Sequence, residues 1–230
     1  MQQTIQREIP YNYTSYTDHD IIVRFLGEDA WQMISALRQQ RQTGHSARML
    51  FEVLGDMWVV TRNPYIQDDL LNNFKRWRSL EHALHQRLKL VEQRAVNNQK
   101  ALQLTEKAHA AIDQFTEKLQ QQKILRRQIL RKLTKITHKD NICFDGLSRI
   151  AHATDATDWR VEYPLVVIKP GHENQMPSII KACTELKLTI IPRGGGTGYT
   201  GAAIPLTPMS AVINTEKLAK LGPIEMRCLP

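Results

Sequence analysis

Apolar positions in the first seventy residues change period several times. Ile21, Ile22 and Phe25 follow Thr17 and Asp20, whose three-residue spacing makes a capping box for a short helix stopped by Gly27. Trp31, Ile34 and Leu37 share one face of a second helix, with Gly44 beyond its end. Met49 to Leu54 and Met57 to Val60 are apolar, β-favouring runs on either side of Gly55-Asp56. That arrangement predicts a β-hairpin with a two-residue loop. Residues 1–74 are therefore read as a small mixed α/β module, and none of its residues carries identifiable chemistry.

The next stretch, 75–135, is rich in Gln, Lys, Arg, Leu and Ala. No proline lies between Pro64 and Pro164, and no glycine between Gly55 and Gly146. Both residues break helices, so their joint absence predicts long helices. Leu84, Leu88, Val91 and Ala95 step like a helix seam, which Asn98, Thr105, His109 and Thr116 then interrupt. A helical hairpin packed on its neighbours fits this better than an extended coiled coil.

Composition reverses beyond Val161, where eight of the ten prolines and seven of the eleven glycines lie. Leu165-Val166-Val167-Ile168 reads as a buried strand. Met176, Ile179, Ile180, Cys183 and Leu186 cluster on a helix with Pro177 in its first turn. Leu188 to Ile191 and Ala211 to Ile213 read as two further strands. Strand, helix and strand at this spacing form a βαβ unit, whose expected product is a parallel pair. The predicted fold class is α+β, with residues 136–230 as its strand-bearing part.

Composition narrows the class of protein. The chain has 230 residues, 42% hydrophobic and 23% charged, as an ordinary globular protein does. No apolar run approaches the ~20 residues that span a bilayer. Met1 to Pro10 is polar and is no secretory signal, so a cytoplasmic location is the default expectation. Cys143, Cys183 and Cys228 are odd in number and far apart, without a C-x-x-C pair for a metal. The net charge of +8 is spread along a segment interspersed with Glu and Gln. This describes a solvated helix face better than a polyanion-binding surface, and no nucleic acid is expected.

The most informative residues follow the second strand: Pro192, Arg193, Gly194, Gly195, Gly196, Thr197, Gly198, Tyr199, Thr200 and Gly201. Five glycines within eight positions cost conformational entropy and bring no side chain to a core. They allow a ligand to approach consecutive backbone N–H groups, an arrangement that binds phosphate oxygens. Arg193 can add charge, and Thr197 or Thr200 a hydroxyl donor. Gly196 to Gly201 also fits G-x-G-x-x-G, but Pro205 and Pro208 argue against the helix that a dinucleotide fingerprint must open. The loop is thus expected to bind a pyrophosphate through backbone donors without a following helix.

Pro164 to Pro170, the helix after it and the run from Ile191 to Gly201 together resemble the FAD-binding domain of the vanillyl-alcohol oxidase and p-cresol methylhydroxylase superfamily. The likeness covers about Ile150 to Lys220, including Thr154-Asp155-Ala156-Thr157-Asp158-Trp159, and is greatest to the glycolate oxidase and D-lactate dehydrogenase branch. It implies that Pro192 to Gly201 wraps the FAD pyrophosphate. Some relatives attach FAD through a histidine in this loop; none lies between Gly194 and Gly201, which implies non-covalent FAD. The family domain continues well past the position of Pro230, so the chain is expected to be a fragment. Ile9 to Thr14 and the run from Ser46 to Asp56 are similar to the N-terminal extension of very large bacterial FAD/FMN-containing dehydrogenases. Iron–sulfur modules follow the flavin domain in those proteins, so a cluster is expected only in a part beyond this chain.

Other side chains are weaker candidates. His82 and His85 lie one helical turn apart without a third ligand, and surface helix positions account for them. His152 lies near the domain junction and can approach a flavin or simply hydrogen-bond in a loop. Asp155 and Asp158 are read as caps or turn residues before Trp159 rather than general bases. No metal site and no catalytic residue are assigned. The resemblance implies an FAD-dependent dehydrogenase for a small 2-hydroxy acid, D-lactate-like or glycolate-like, with its catalytic groups beyond Pro230. The alternative is a non-catalytic helical interaction module attached to a partial flavin domain. Oligomeric state is not legible in the sequence.

Overall fold

The computed structural model describes residues 17–39, 44–95, 98–157 and 159–220. Ile9 to Thr14, Asp158 and Cys228 lie outside the described residues. The chain divides into two compact units, one of residues 1–128 and 145–150, the other of residues 129–144 and 151–230.

The first unit is helical. Helix α1, Asp18–Leu26, starts with the predicted capping box. The Asp20 amide donates to Thr17 Oγ1 at 3.3 Å, and the Thr17 amide returns a bond to Asp20 Oδ2 at 3.0 Å. These bonds satisfy amides that the helix start would leave orphaned. Bonding from Thr17 is also the main reason the Asp20 carboxyl sits below its ordinary range. Gly27 ends the helix at φ 92°, a backbone angle that other residues adopt only under strain. Helix α2, Glu28–Gln39, buries Ile34 and Leu37 as its pattern requires. Trp31 packs against the same core.

The predicted hairpin over 49–60 is not there. Met49 to Val60 lie within helix α3, Gly44–Arg62, with Gly55 and Asp56 in mid-helix and Gly44 at its start. Leu50, Val53, Leu54, Met57 and Val60 are buried in one core. Their spacing of three and four residues is helical, and burying that face overrides local β preference and a turn-like Gly-Asp pair. Helix α4, Pro64–Asn72, was not anticipated from the sequence. Its signal was present: Asn63 accepts from the amides of Tyr65 and Ile66, and Pro64 takes the first turn.

Helices α5, Phe74–Ala95, and α6, Gln99–Leu133, form the long helical stretch. Leu84, Leu88, Val91 and Ala95 are all buried. The polar interruptions of the seam are satisfied locally. Asn98 accepts from the Ala101 amide at the start of α6 (3.1 Å), and Thr105 Oγ1 donates to the Leu102 carbonyl (2.8 Å). His109 Nδ1 shares a 2.9 Å hydrogen bond with His85 Nδ1, so His85 pairs across to α6 and not with His82. Helix α7, Gly146–Ala151, begins under the Tyr65 ring. A Cβ on Gly146 would lie 2.5 Å from that ring, so only glycine fits.

The second unit carries a four-stranded sheet of order β1-β2-β4-β3. Its strands are β1, Ile142–Cys143, β2, Val166–Ile168, β3, Thr189–Arg193, and β4, Ser210–Asn214. Strand β1 is antiparallel to β2, whereas β2 and β3 are each parallel to β4. Helix α8, Met176–Glu185, crosses from β2 to β3 and buries Ile179, Ala182 and Cys183, while Ile180 faces out. The βαβ unit therefore gives parallel strands but not an adjacent pair, because β4 inserts between β2 and β3. Strand β4 is buried along its whole length, as a central strand should be. Pro192 is tolerated because β3 is an edge strand, where a missing ladder donor costs little.

Candidate functional site

The three parallel strands end at one edge of the sheet, at Ile168, Asn214 and Arg193. In open α/β sheets this carboxyl edge is where ligands bind. Pro192 and Arg193 are the last residues of β3, and Gly194 to Gly201 form the loop that leaves it. The Thr215 amide donates to the Arg193 carbonyl at 2.9 Å, which fixes the loop's base beside the end of β4.

Beyond that base the loop is open. A Cβ placed on Gly194 or Gly198 would meet nothing within 4 Å, and one on Gly195 would meet only the side chain of Thr197. Among the described residues, no amide from Gly194 to Gly201 donates to a backbone carbonyl. Thr197, Tyr199 and Thr200 are exposed. The loop thus presents consecutive unengaged donors on an accessible surface, as an anion cradle of backbone amides requires.

Two of its glycines are needed for conformation. Gly196 has φ 68° and Gly201 φ 71°, in the left-handed region. Arg193 is engaged within the protein. Its Nη1 donates to the Thr154 carbonyl at 2.6 Å, and its guanidinium lies where a Cβ of Gly196 would project. It serves as a strut tying the loop to the chain before β2. Trp159 packs against Gly201: a Cβ there would lie 3.3 Å from the indole Cε3.

Asp155 has the turn role read from the sequence. Its Oδ1 accepts from the Thr157 amide at 2.8 Å and from the Thr157 hydroxyl at 2.5 Å. Desolvation pushes its pKa up, but the bonds from Thr157 and the nearness of the Ala203 amide outweigh it and hold the carboxyl below its ordinary range.

His152 and Asn214 form a buried pair at the same edge. Asn214 Nδ2 donates to His152 Nε2 and to Glu216 Oε2, both at 2.8 Å, while Asn214 Oδ1 accepts from the Glu216 amide. The last two bonds fix the orientation of the Asn214 amide. His152 Nε2 is therefore an acceptor, and the neutral ring carries its proton on Nδ1. Glu216 also meets Lys169 at 2.8 Å, the main cause of its lowered pKa. Lys217 Nζ donates to Asn141 Oδ1, and Asn141 Nδ2 donates to Thr137 Oγ1, each at 2.7 Å. His152 is thus bonded to the Asn214 side chain, a pairing with no signal in local sequence.

Among the described residues, no group of three or more His, Cys, Asp or Glu side chains is placed to hold a metal. No described helix is long and apolar enough to cross a membrane.

Comparison with known proteins gives two separate matches. Residues 4–117 match a family model described as Protein of unknown function (DUF3683), and residues 164–226 match the FAD binding domain family. The chain is 39% identical over 56 residues to a D-lactate dehydrogenase of Archaeoglobus fulgidus, covering 24% of this chain and 12% of that protein. It is 30% identical over 89 residues to a putative mitochondrial D-lactate dehydrogenase of Schizosaccharomyces pombe, covering 36% and 17%. With the glycolate oxidase subunit GlcD of Bacillus subtilis, identity is 26% over 82 residues, again 36% and 17%. The chain therefore spans between an eighth and a sixth of the length of these relatives. The match over residues 164–226 is consistent with the vanillyl-alcohol oxidase and p-cresol methylhydroxylase superfamily.

Proposed function

We propose, from an FAD-binding segment over residues 164–226 as premise, that this chain anchors the cofactor of an FAD-dependent oxidoreductase acting on a small 2-hydroxy acid. The observation that carries the reading is the run of unengaged amides from Gly194 to Gly201 at the carboxyl edge of the sheet. These amides hold the FAD pyrophosphate, Thr197 and Thr200 supply additional hydroxyl donors, and Arg193 keeps the loop in shape. FAD is held without a covalent bond, in keeping with the absence of histidine between Gly194 and Gly201.

Bound FAD would supply two-electron oxidation at the carbinol carbon of the substrate, while the protein would bind, orient and tune the ring. The role of this chain is the first of these. The substrate class rests on the names of the relatives, D-lactate dehydrogenase and glycolate oxidase. No residue described here is assigned to proton transfer or to the substrate carboxylate.

The visible absorption spectrum of the purified protein after incubation with FAD and desalting tests this. Retained flavin absorption that bleaches when D-lactate or glycolate is added supports the proposal. A protein that retains no flavin, and is not stabilised against unfolding by FAD, refutes it. Retained flavin that no 2-hydroxy acid reduces keeps the cofactor and removes the substrate class.

A further inference from the structure

Trp159 lies outside the glycine loop but against it. Its indole packs on Gly201, the last glycine, with Cε3 and Cζ3 at 3.3 and 3.6 Å from the position of a Cβ. About half of the residue's surface, 52%, remains open to solvent. Large aromatic side chains gain most when buried, so a Trp held against the loop and half exposed offers a ready apolar surface.

The segment that carries it is held at several points. Arg193 Nη1 holds the Thr154 carbonyl, Asp155 Oδ1 holds the Thr157 amide, and the indole meets Gly201. The loop amides thus run between two fixed points, Arg193 at the start and Trp159 at the end. A nucleotide bound by its phosphates along this run projects a flat heteroaromatic ring beyond either end. An aromatic face held rigid at one end loses little conformational freedom on binding such a ring.

We propose that Trp159 is the stacking wall of the nucleotide site and takes one of the two heteroaromatic rings of FAD on its exposed face. This rests on the reading that Gly194 to Gly201 hold the pyrophosphate. It adds a residue outside the loop, and a contact that recognises the ring and not the charge. Gly201 has a second duty under this proposal: any side chain there would push the indole away from the loop.

Calorimetric titration of the protein with FAD and with inorganic pyrophosphate tests it, in the wild type and in Trp159→Ala, Trp159→Leu and Trp159→Phe. Pyrophosphate has no ring and reports the loop alone. Losing a stacked ring weakens binding by about tenfold. Trp159→Ala and Trp159→Leu are therefore expected to weaken FAD by that factor and leave pyrophosphate unchanged, while Trp159→Phe retains most of the FAD affinity. Trp159→Leu keeps apolar bulk against Gly201, so it separates stacking from propping of the loop. Titrations with ADP and with FMN identify the ring, because the loss appears with whichever of them shares it. Equal losses for FAD and pyrophosphate would reduce Trp159 to a prop of the loop and overturn the proposal, as would no loss for either ligand. A wild-type protein that binds neither ligand removes the pyrophosphate reading as well.

Discussion

Replacing Gly196 by alanine perturbs the glycine loop at its most constrained point. At φ 68° an alanine is strained, at roughly 1–2 kcal/mol for the left-handed region. Its Cβ would also lie 2.6 Å from Arg193 Cζ, closer than real Cβ atoms approach. The guanidinium is the far end of a flexible side chain and can move, but moving breaks its 2.6 Å bond to the Thr154 carbonyl. A hydrogen bond from a charged donor contributes roughly 1.5–3 kcal/mol, and Arg193 is only partly buried, so the lower end applies. The sum is a destabilisation of roughly 2–4 kcal/mol for the unit that holds the sheet. Denaturant midpoints followed by circular dichroism measure it, with Gly198→Ala as control. Gly198 has nothing within 4 Å of its would-be Cβ and no positive φ, so its substitution leaves the midpoint nearly unchanged. Equal stability of the two variants would refute the argument. FAD affinity separates shape from approach: both variants are expected to bind more weakly, Gly198→Ala only because its methyl group occupies the ligand's path.

Other predictions concern the two units separately. Asp68→Ala removes a charged partner 2.7 Å from Arg126, whose side chain is 8% exposed and whose pKa burial already lowers, and is expected to cost about 3 kcal/mol by denaturant titration. Asp69→Ala, which frees the exposed Arg76, is expected to leave the midpoint nearly unchanged in the same measurement. Lys169→Met removes the main cause of the lowered Glu216 pKa. A carboxyl with a lowered folded pKa adds stability above its unfolded value and loses it as pH falls through the folded value. The wild-type advantage, under about 1 kcal/mol at neutral pH because Glu216 is half exposed, is therefore expected to vanish in acid; an advantage that grows on acidification reverses the sign and contradicts the assignment. Burial pushes the Cys183 thiol up to about 11, so site-resolved alkylation at neutral pH is expected to spare Cys183 until the protein is unfolded.

Features written in short sequence intervals were legible. The Thr17–Asp20 capping box, the Leu84–Leu88–Val91–Ala95 seam, the strands and helix of the C-terminal part and the glycine loop each depend on residues close together in the chain. The hairpin expectation failed because a run of Leu, Phe, Val and Trp fits a buried helix as well as a strand. Only the core it packs into, with Trp77, Leu84 and Ile112, decides between them. The insertion of β4 between β2 and β3 is likewise a property of the sheet, and a two-residue strand such as β1 leaves no periodicity to find. The candidate site divides in the same way. The open amides followed from the glycines, but the strut role of Arg193, the contact of Trp159 with Gly201 and the pairing of His152 with Asn214 join residues 39 to 62 positions apart. No local pattern announces them.

The account stands on the amides of Gly194 to Gly201 as the holders of a nucleotide's paired phosphates. Nitrogen-15 NMR of the protein during titration with FAD observes those amides one by one. The account predicts that their resonances move together and saturate with the same dissociation constant, ahead of any change in α1 to α6. Binding of FAD that leaves these eight positions unmoved would contradict it.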